Sequence, residues 1–161
     1  MKNKEEKTNA IRLLEQKKLA FKVYDYSQSD IISGSDVARY LKENPDRVFK
    51  TLVTVGKSDN HYVFLVPVNR ELDLKKAAQA VGEKNISMIK SKELLPLTGY
   101  IHGGCSPIGM KKYYTTIIDA SADKFDEIIF SAGKIGFQIK MKLTDLEKII
   151  KFRLCEISTS L

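Results

Sequence analysis

Val48-Phe49-Lys50-Thr51-Leu52-Val53-Thr54-Val55 and Tyr62-Val63-Phe64-Leu65-Val66-Pro67-Val68 decide how the chain folds, with Gly56-Lys57-Ser58-Asp59-Asn60 lying between them. Both runs are rich in β-branched and aromatic residues, which suit a pleated, half-buried surface. The residues between them are turn formers, so the segment reads as a β-hairpin. A sheet therefore occupies the centre, and the remaining elements must cover it.

Toward the N-terminus, Thr8 to Leu19 has helical spacing, with Ile11, Leu14 and Lys18 on related turns and Thr8 as N-cap. Phe21 to Tyr26 alternates as a strand, with Phe21 and Val23 on one face and Tyr24 and Tyr26 on the other. Ser33-Gly34-Ser35-Asp36 opens a second helix through Leu41, which Asn44-Pro45 ends or restarts. Beyond the hairpin, Leu72 to Val81 is helical with Gly82 as its stop, and Ile86 to Met88 is a short strand. Ser91 caps a brief helix expected to end before Pro96. Thr115 to Asp119, Glu127 to Ser131 and Phe137 to Met141 read as strands, the last two joined by Gly133-Lys134-Ile135-Gly136. Thr144-Asp145-Leu146-Glu147 has the form of a capping box, opening a helix that turns Leu146, Ile149 and Ile150 inward. Strands and helices alternate irregularly and hairpins mix with crossovers. The expectation is one α+β domain over residues 1–161, built around one mixed sheet rather than a doubly wound one.

Bulk properties limit the function. The chain has 161 residues, of which 43% are hydrophobic and 29% charged, so it can bury a core without disulfides or metals. Cys105 and Cys155 form no paired pattern, which suits a reducing cytoplasm. The charged start, Met1 to Lys7, has no apolar core and is not a signal peptide. No apolar run approaches the roughly 20 residues of a membrane span. A net charge of +7 favours a polyanionic partner through counterion release.

Gly103-Gly104-Cys105-Ser106-Pro107-Ile108-Gly109 is the most informative loop. Adjacent glycines let a backbone approach a ligand and aim N–H groups at an anion or carbonyl oxygen; the same residues also make an ordinary turn. Gly104 and Gly109 have the glycine spacing of a phosphate-binding P-loop, but Met110 stands where the lysine belongs. Ser106 lacks the second glycine of a nucleophile elbow, and His61 and His102 both precede it, against the α/β-hydrolase order. His102 and Cys105 are three apart, but no further ligands at zinc spacing accompany them, and Cys105 reads as a small apolar filler. Lys50 stands inside an apolar strand, where burial is costly unless an anion meets it, although period-two alternation also permits a solvent-facing position. Lys111-Lys112 and Lys140-Lys142 read as solvated faces that also suit contact with a nucleic acid.

The ordered set of Val48-Phe49-Lys50-Thr51-Leu52, Leu72-Asp73-Leu74-Lys75-Lys76, Thr98-Gly99-Tyr100 and Gly103 to Gly109 resembles the YbaK/EbsC family of aminoacyl-tRNA deacylases. Thr116-Ile117-Ile118-Asp119 and Ser131-Ala132-Gly133-Lys134 continue that order, so the resemblance covers nearly the whole chain and is greatest to the Cys-tRNA(Pro) deacylase subgroup. It implies an α+β domain with a curved, partly barrel-like mixed sheet and flanking helices, related to the editing domain of bacterial prolyl-tRNA synthetases. It implies a cytoplasmic enzyme with no cofactor or metal, acting on the 3′ end of aminoacylated tRNA. Prolyl-tRNA synthetase is its implied partner, and DNA and membranes are not. Lys50 falls where the family's lysine holds the anionic 3′ end. Gly103, Gly104, Ser106 and Pro107 fall on the loop that positions the ester. Tyr26 falls on the tyrosine after the first strand, a wall or hydroxyl donor of the pocket, and Thr51 beside the lysine. Gln138 replaces an aspartate of well-known members and cannot act as a base, but it can still hydrogen-bond an amine or ribose.

The implied mechanism needs no protein nucleophile. The substrate's own cysteine thiol attacks the ester carbonyl, releasing tRNA and a thiolactone. Two other functions remain open at this point: clearance of another small amino acid such as alanine, and binding of tRNA or a synthetase without chemistry.

Overall fold

The computed structural model describes residues 7–31 and 33–159. The start whose sequence lacks a signal-peptide core, Met1 to Glu6, lies outside them. Among the described residues eight strands are present: β1 (Lys22–Asp25), β2 (Phe49–Gly56), β3 (His61–Pro67), β4 (Ile86–Met88), β5 (Thr115–Asp119), β6 (Glu127–Ser131), β7 (Phe137–Lys142) and β8 (Arg153–Cys155). The helices are α1 (Asn9–Gln16), α2 (Gly34–Tyr40), α3 (Leu74–Val81), α4 (Ser91–Thr98) and the short α5 (Leu143–Leu146).

The hairpin forms in one continuous register, from Phe49 opposite Pro67 to Val55 opposite His61. It is the heart of a five-stranded sheet in the order β4-β2-β3-β5-β8, antiparallel as far as β3 and parallel beyond it. A second, antiparallel sheet has the order β1-β7-β6. The single expected mixed sheet is thus two, and they do not close into a barrel. A lone parallel bridge between Val48 and Ile129 joins them, and one bridge does not make a ladder.

Period-two alternation on β3 builds two apolar layers. Val63 and Leu65 face the main core between the sheets, with Ile128, Phe130, Ile139 and Met141, which α1 closes with Ala10 and Leu14. Tyr62, Phe64 and Val66 face the opposite side, where α3 supplies Ala77 and Ala78. Phe64 and Leu65 are fully buried, each worth about 1.5–3 kcal/mol relative to exposure. Over the bridge, Ala38 of α2 packs with Val48, Val68 and Ile129.

Local chemistry explains most boundaries. Thr8 caps α1 by accepting from the Ile11 N–H at 3.2 Å, as its sequence position predicts. Asp73 caps α3 through Lys75 and Lys76, and Gly82 ends it. α4 departs from expectation: Lys90 is its N-cap, with Glu93 accepting from the Lys90 N–H at 2.9 Å, and the helix continues through Pro96 to Gly99. The Thr144 capping box does not form. Leu143 donates its N–H to the Asp126 carbonyl and already begins α5, placing Thr144 and Asp145 inside the helix.

Candidate functional site

A cavity of about 620 Å³ opens where α2, β2, the start of α4 and the 102–105 loop converge over the join between the sheets. Lys50 and Thr51 border it from β2, Tyr26 from the residue after β1, and Gln138 and Ser131 from the β6–β7 hairpin. Gly103, His102 and Cys105 complete the wall opposite. Five of the eight residues predicted for the site therefore meet around one space: Lys50, Thr51, Tyr26, Gln138 and Gly103. Gly104, Ser106 and Pro107 are buried behind it.

Lys50 pairs with Glu71 at 3.6 Å, but that carboxylate is 82% exposed. Such a solvated pair contributes only about 0–1 kcal/mol, so the ammonium remains available to an anion. Thr51 has a buried Oγ1 with no hydrogen-bond partner among the described residues. An unmet buried hydroxyl costs about 1–3 kcal/mol, which a ligand entering the cavity would recover.

Tyr26 is buried, and its phenol oxygen accepts from Gln138 Nε2 at 3.0 Å. Burial pushes the phenol up from its ordinary value, opposed by hydrogen bonds from Gln138 and from the Gly136 backbone. Tyr26 is a neutral hydroxyl at physiological pH.

The 103–109 loop divides its labour. Gly103 has φ +86°, a conformation that favours glycine, and its N–H has no partner among the described residues. The Cys105 N–H is likewise unpaired among them. Both residues border the cavity, as does His102, whose N–H is also unpaired among the described residues, so this loop offers backbone donors suited to an oxyanion. Gly104 differs, because its N–H is spent on the Ile101 carbonyl at 2.9 Å. A Cβ at Gly104 would lie 3.0 Å from the Ile135 nitrogen, so the missing side chain lets this loop nest against the β6–β7 turn. The Ser106 hydroxyl accepts from the Ile108 N–H at 3.2 Å and has 0% exposure, a bond that stabilises the loop.

Burial pushes the Cys105 thiol up to about 12, with only a Thr98 hydrogen bond opposing it. At neutral pH it is a thiol rather than a nucleophilic thiolate. His102 and Cys105 both border the cavity, but no hydrogen bond joins them among the described residues, as a nucleophilic dyad requires.

Sequence reasoning gave no role to Lys90, which adds a second cation at the rim, or to Met88, Ile89 and Leu94, which supply apolar wall. A lysine directly ahead of the Ser91 helix start was the one available signal for Lys90. Lys140, expected on a solvated face, is half-buried and paired with Glu43 at 3.1 Å. Arg47 and the Tyr24 hydroxyl hold the same carboxylate, so Lys140 belongs to the scaffold.

Similarity to known proteins places this geometry. A family model described as an aminoacyl-tRNA editing domain matches residues 29–149. Over 159 residues the chain is 44% identical to EbsC of Enterococcus faecalis, named as a Cys-tRNA(Pro)/Cys-tRNA(Cys) deacylase, covering 98% of this chain and 97% of that one. It is 30% identical over 105 residues to the proline–tRNA ligase of Pelobacter propionicus, covering 65% of this chain and 18% of the ligase. A solved structure described as a trans-editing enzyme for prolyl tRNA synthetase superposes with TM-score 0.84 at 22% identity, covering 94% of this chain and 96% of that one, and supports the fold.

Proposed function

The chain belongs to the aminoacyl-tRNA editing domain family, and from that premise we propose that it is a deacylase acting in trans on cysteine mistakenly esterified to tRNA(Pro). The observation that carries this reading is a cavity offering a cation, hydroxyls and unpaired backbone N–H groups, with its one thiol held neutral. Such a site positions an ester and stabilises charge on it.

The chemistry then comes from the substrate. The cysteine sulfur attacks the acyl carbonyl carbon, and the new C–S bond closes a thiolactone. The bond from that carbon to the ribose oxygen breaks, and the thiol's proton ends on the departing tRNA hydroxyl. Water later opens the thiolactone to free cysteine. The Gly103 and Cys105 N–H groups face the oxyanion, each such donor being worth about 2.7–4 kcal/mol. Lys50 holds the anionic 3′ end and Thr51 meets a polar group of the substrate. Fixing thiol and carbonyl in attack geometry supplies up to roughly 7–11 kcal/mol.

On this reading the protein works in the cytoplasm beside prolyl-tRNA synthetase, whose product it would receive. The net charge of +7 supports contact with tRNA. Among the described residues no helix is long and apolar enough to cross a membrane. Comparing Cys-tRNA(Pro) with Ser-tRNA(Pro) tests the mechanism, because a hydroxyl replaces the thiol at the same position. Rapid release of cysteine alone, with a trapped thiolactone, is expected; equal release of serine, or an acyl group on Ser106 or Cys105, would overturn it.

A further inference from the structure

We propose that Gln138 is a positioning residue that fixes the direction of its hydrogen bond with Tyr26, so that the Tyr26 proton is presented to an oxygen of the bound aminoacyl ester. The inference rests on the deacylase reading and deepens it.

The argument is one of donors and acceptors. A phenol has one proton to give and an oxygen able to accept. Gln138 Nε2 donates to that oxygen at 3.0 Å. No acceptor among the described residues takes the Tyr26 proton. Tyr26 and Gln138 both border the cavity, so the remaining direction for that proton is toward the ligand. The register holds the pair in place: Gln138 lies between Tyr24 of β1 and Ser131 of β6, and the Tyr26 N–H bonds to the Gly136 carbonyl at 2.8 Å.

A carboxylate at this position reverses the polarity. It can only accept, so the Tyr26 proton would turn to it and be lost to the substrate. A methionine of similar length does neither, and leaves the proton free. With its Nε2 on the phenol, as here, glutamine leaves the Tyr26 proton to the substrate, and an ester oxygen that gains negative charge is the group that benefits most from it.

The test is to measure the cost of Tyr26→Phe in three backgrounds, following deacylation of Cys-tRNA(Pro) under single-turnover conditions. In the native background and in Gln138→Met, Y26F is expected to lower the rate constant about 10- to 100-fold with little change in the enzyme concentration that gives half the maximal rate. In Gln138→Glu the same substitution is expected to cost under about threefold, because the proton is already engaged. Melting temperatures of all six proteins separate lost folding from lost donation. A Y26F cost equal in all three backgrounds, or absent from the native one, would overturn the inference while leaving the deacylase reading intact. A wild-type protein that leaves Cys-tRNA(Pro) unhydrolysed removes that reading, and the inference with it.

Discussion

The Tyr100 hydroxyl donates to the Ile108 carbonyl across 2.6 Å, tying the approach to the 103–109 loop to its far end. The same ring packs against the β6–β7 turn, where a Cβ on Gly133 would come within 2.7 Å of Tyr100 Cε1. One side chain therefore holds together the two segments that carry Gly103 and Gln138.

Tyr100→Phe keeps the packing and removes the bond, leaving the Ile108 carbonyl buried and unmet. It is expected to cost about 1–3 kcal/mol in urea denaturation and to slow deacylation without raising KM. Gly133→Ala meets the ring and also requires φ +99°, so its loss should be larger than that of Y100F.

Gly104→Ala probes the contact between the two loops. The added methyl meets backbone at 3.0–3.2 Å on Ile135 and Lys134 and must push the loops apart. The expected result is a clear fall in kcat with a fold that survives, seen by comparing kinetics with the melting temperature. A variant of wild-type rate would mean that the spacing of these loops is irrelevant to the chemistry.

How much of this was legible beforehand follows the range of each interaction. The hairpin, the Thr8 cap and Gly82 rest on neighbouring residues, and the sequence carried them plainly. Strand β8 was not anticipated: Arg153-Leu154-Cys155 is short and mostly exposed, and it exists through parallel pairing with Ile117 to Asp119 far away. The Thr144 capping box failed for the same reason, since a bond to distant Asp126 set the start of α5. Within the site, Lys50 stood out as a lysine inside an apolar strand, and the family resemblance supplied Thr51, Tyr26 and Gln138. It also grouped Gly103 with Gly104, yet only Gly103 keeps its N–H unpaired. Which glycine faces substrate depends on the Ile101 carbonyl and on the 134–135 backbone, and spacing cannot reveal that.

Ser106→Ala removes a buried acceptor from the Ile108 N–H and should cost about 1 kcal/mol of stability while sparing most of the deacylation rate. Denaturation and single-turnover assays on the same preparation check both halves. Loss of all activity with an intact fold would restore Ser106 as a participant in the chemistry.

The pH dependence of stability has two distinct ends. Cys105 is raised from an ordinary 9.0 to about 12 in the folded chain. Between those values the unfolded thiol releases its proton and the folded one does not, so stability present below pH 9 is lost as the pH rises toward 12. Asp119 shows the opposite sign. Burial would raise it, but hydrogen bonds from Ser121, Ile157 and Ser158 prevail and hold it below the ordinary 3.8, so its contribution is lost as the pH falls below that value. Melting temperatures across pH should show the alkaline loss reduced in Cys105→Ala and the acid loss reduced in Asp119→Asn.

The most direct test of the central claim is deacylation of Cys-tRNA(Pro), with Ala-tRNA(Pro) as alternative substrate and Lys50→Ala as variant. The account predicts rapid loss of cysteine, little loss of alanine, and a fall of about 100-fold in kcat/KM for K50A, equivalent to about 2.7 kcal/mol of transition-state stabilisation. Equal turnover of alanine, or full activity in K50A, would contradict it.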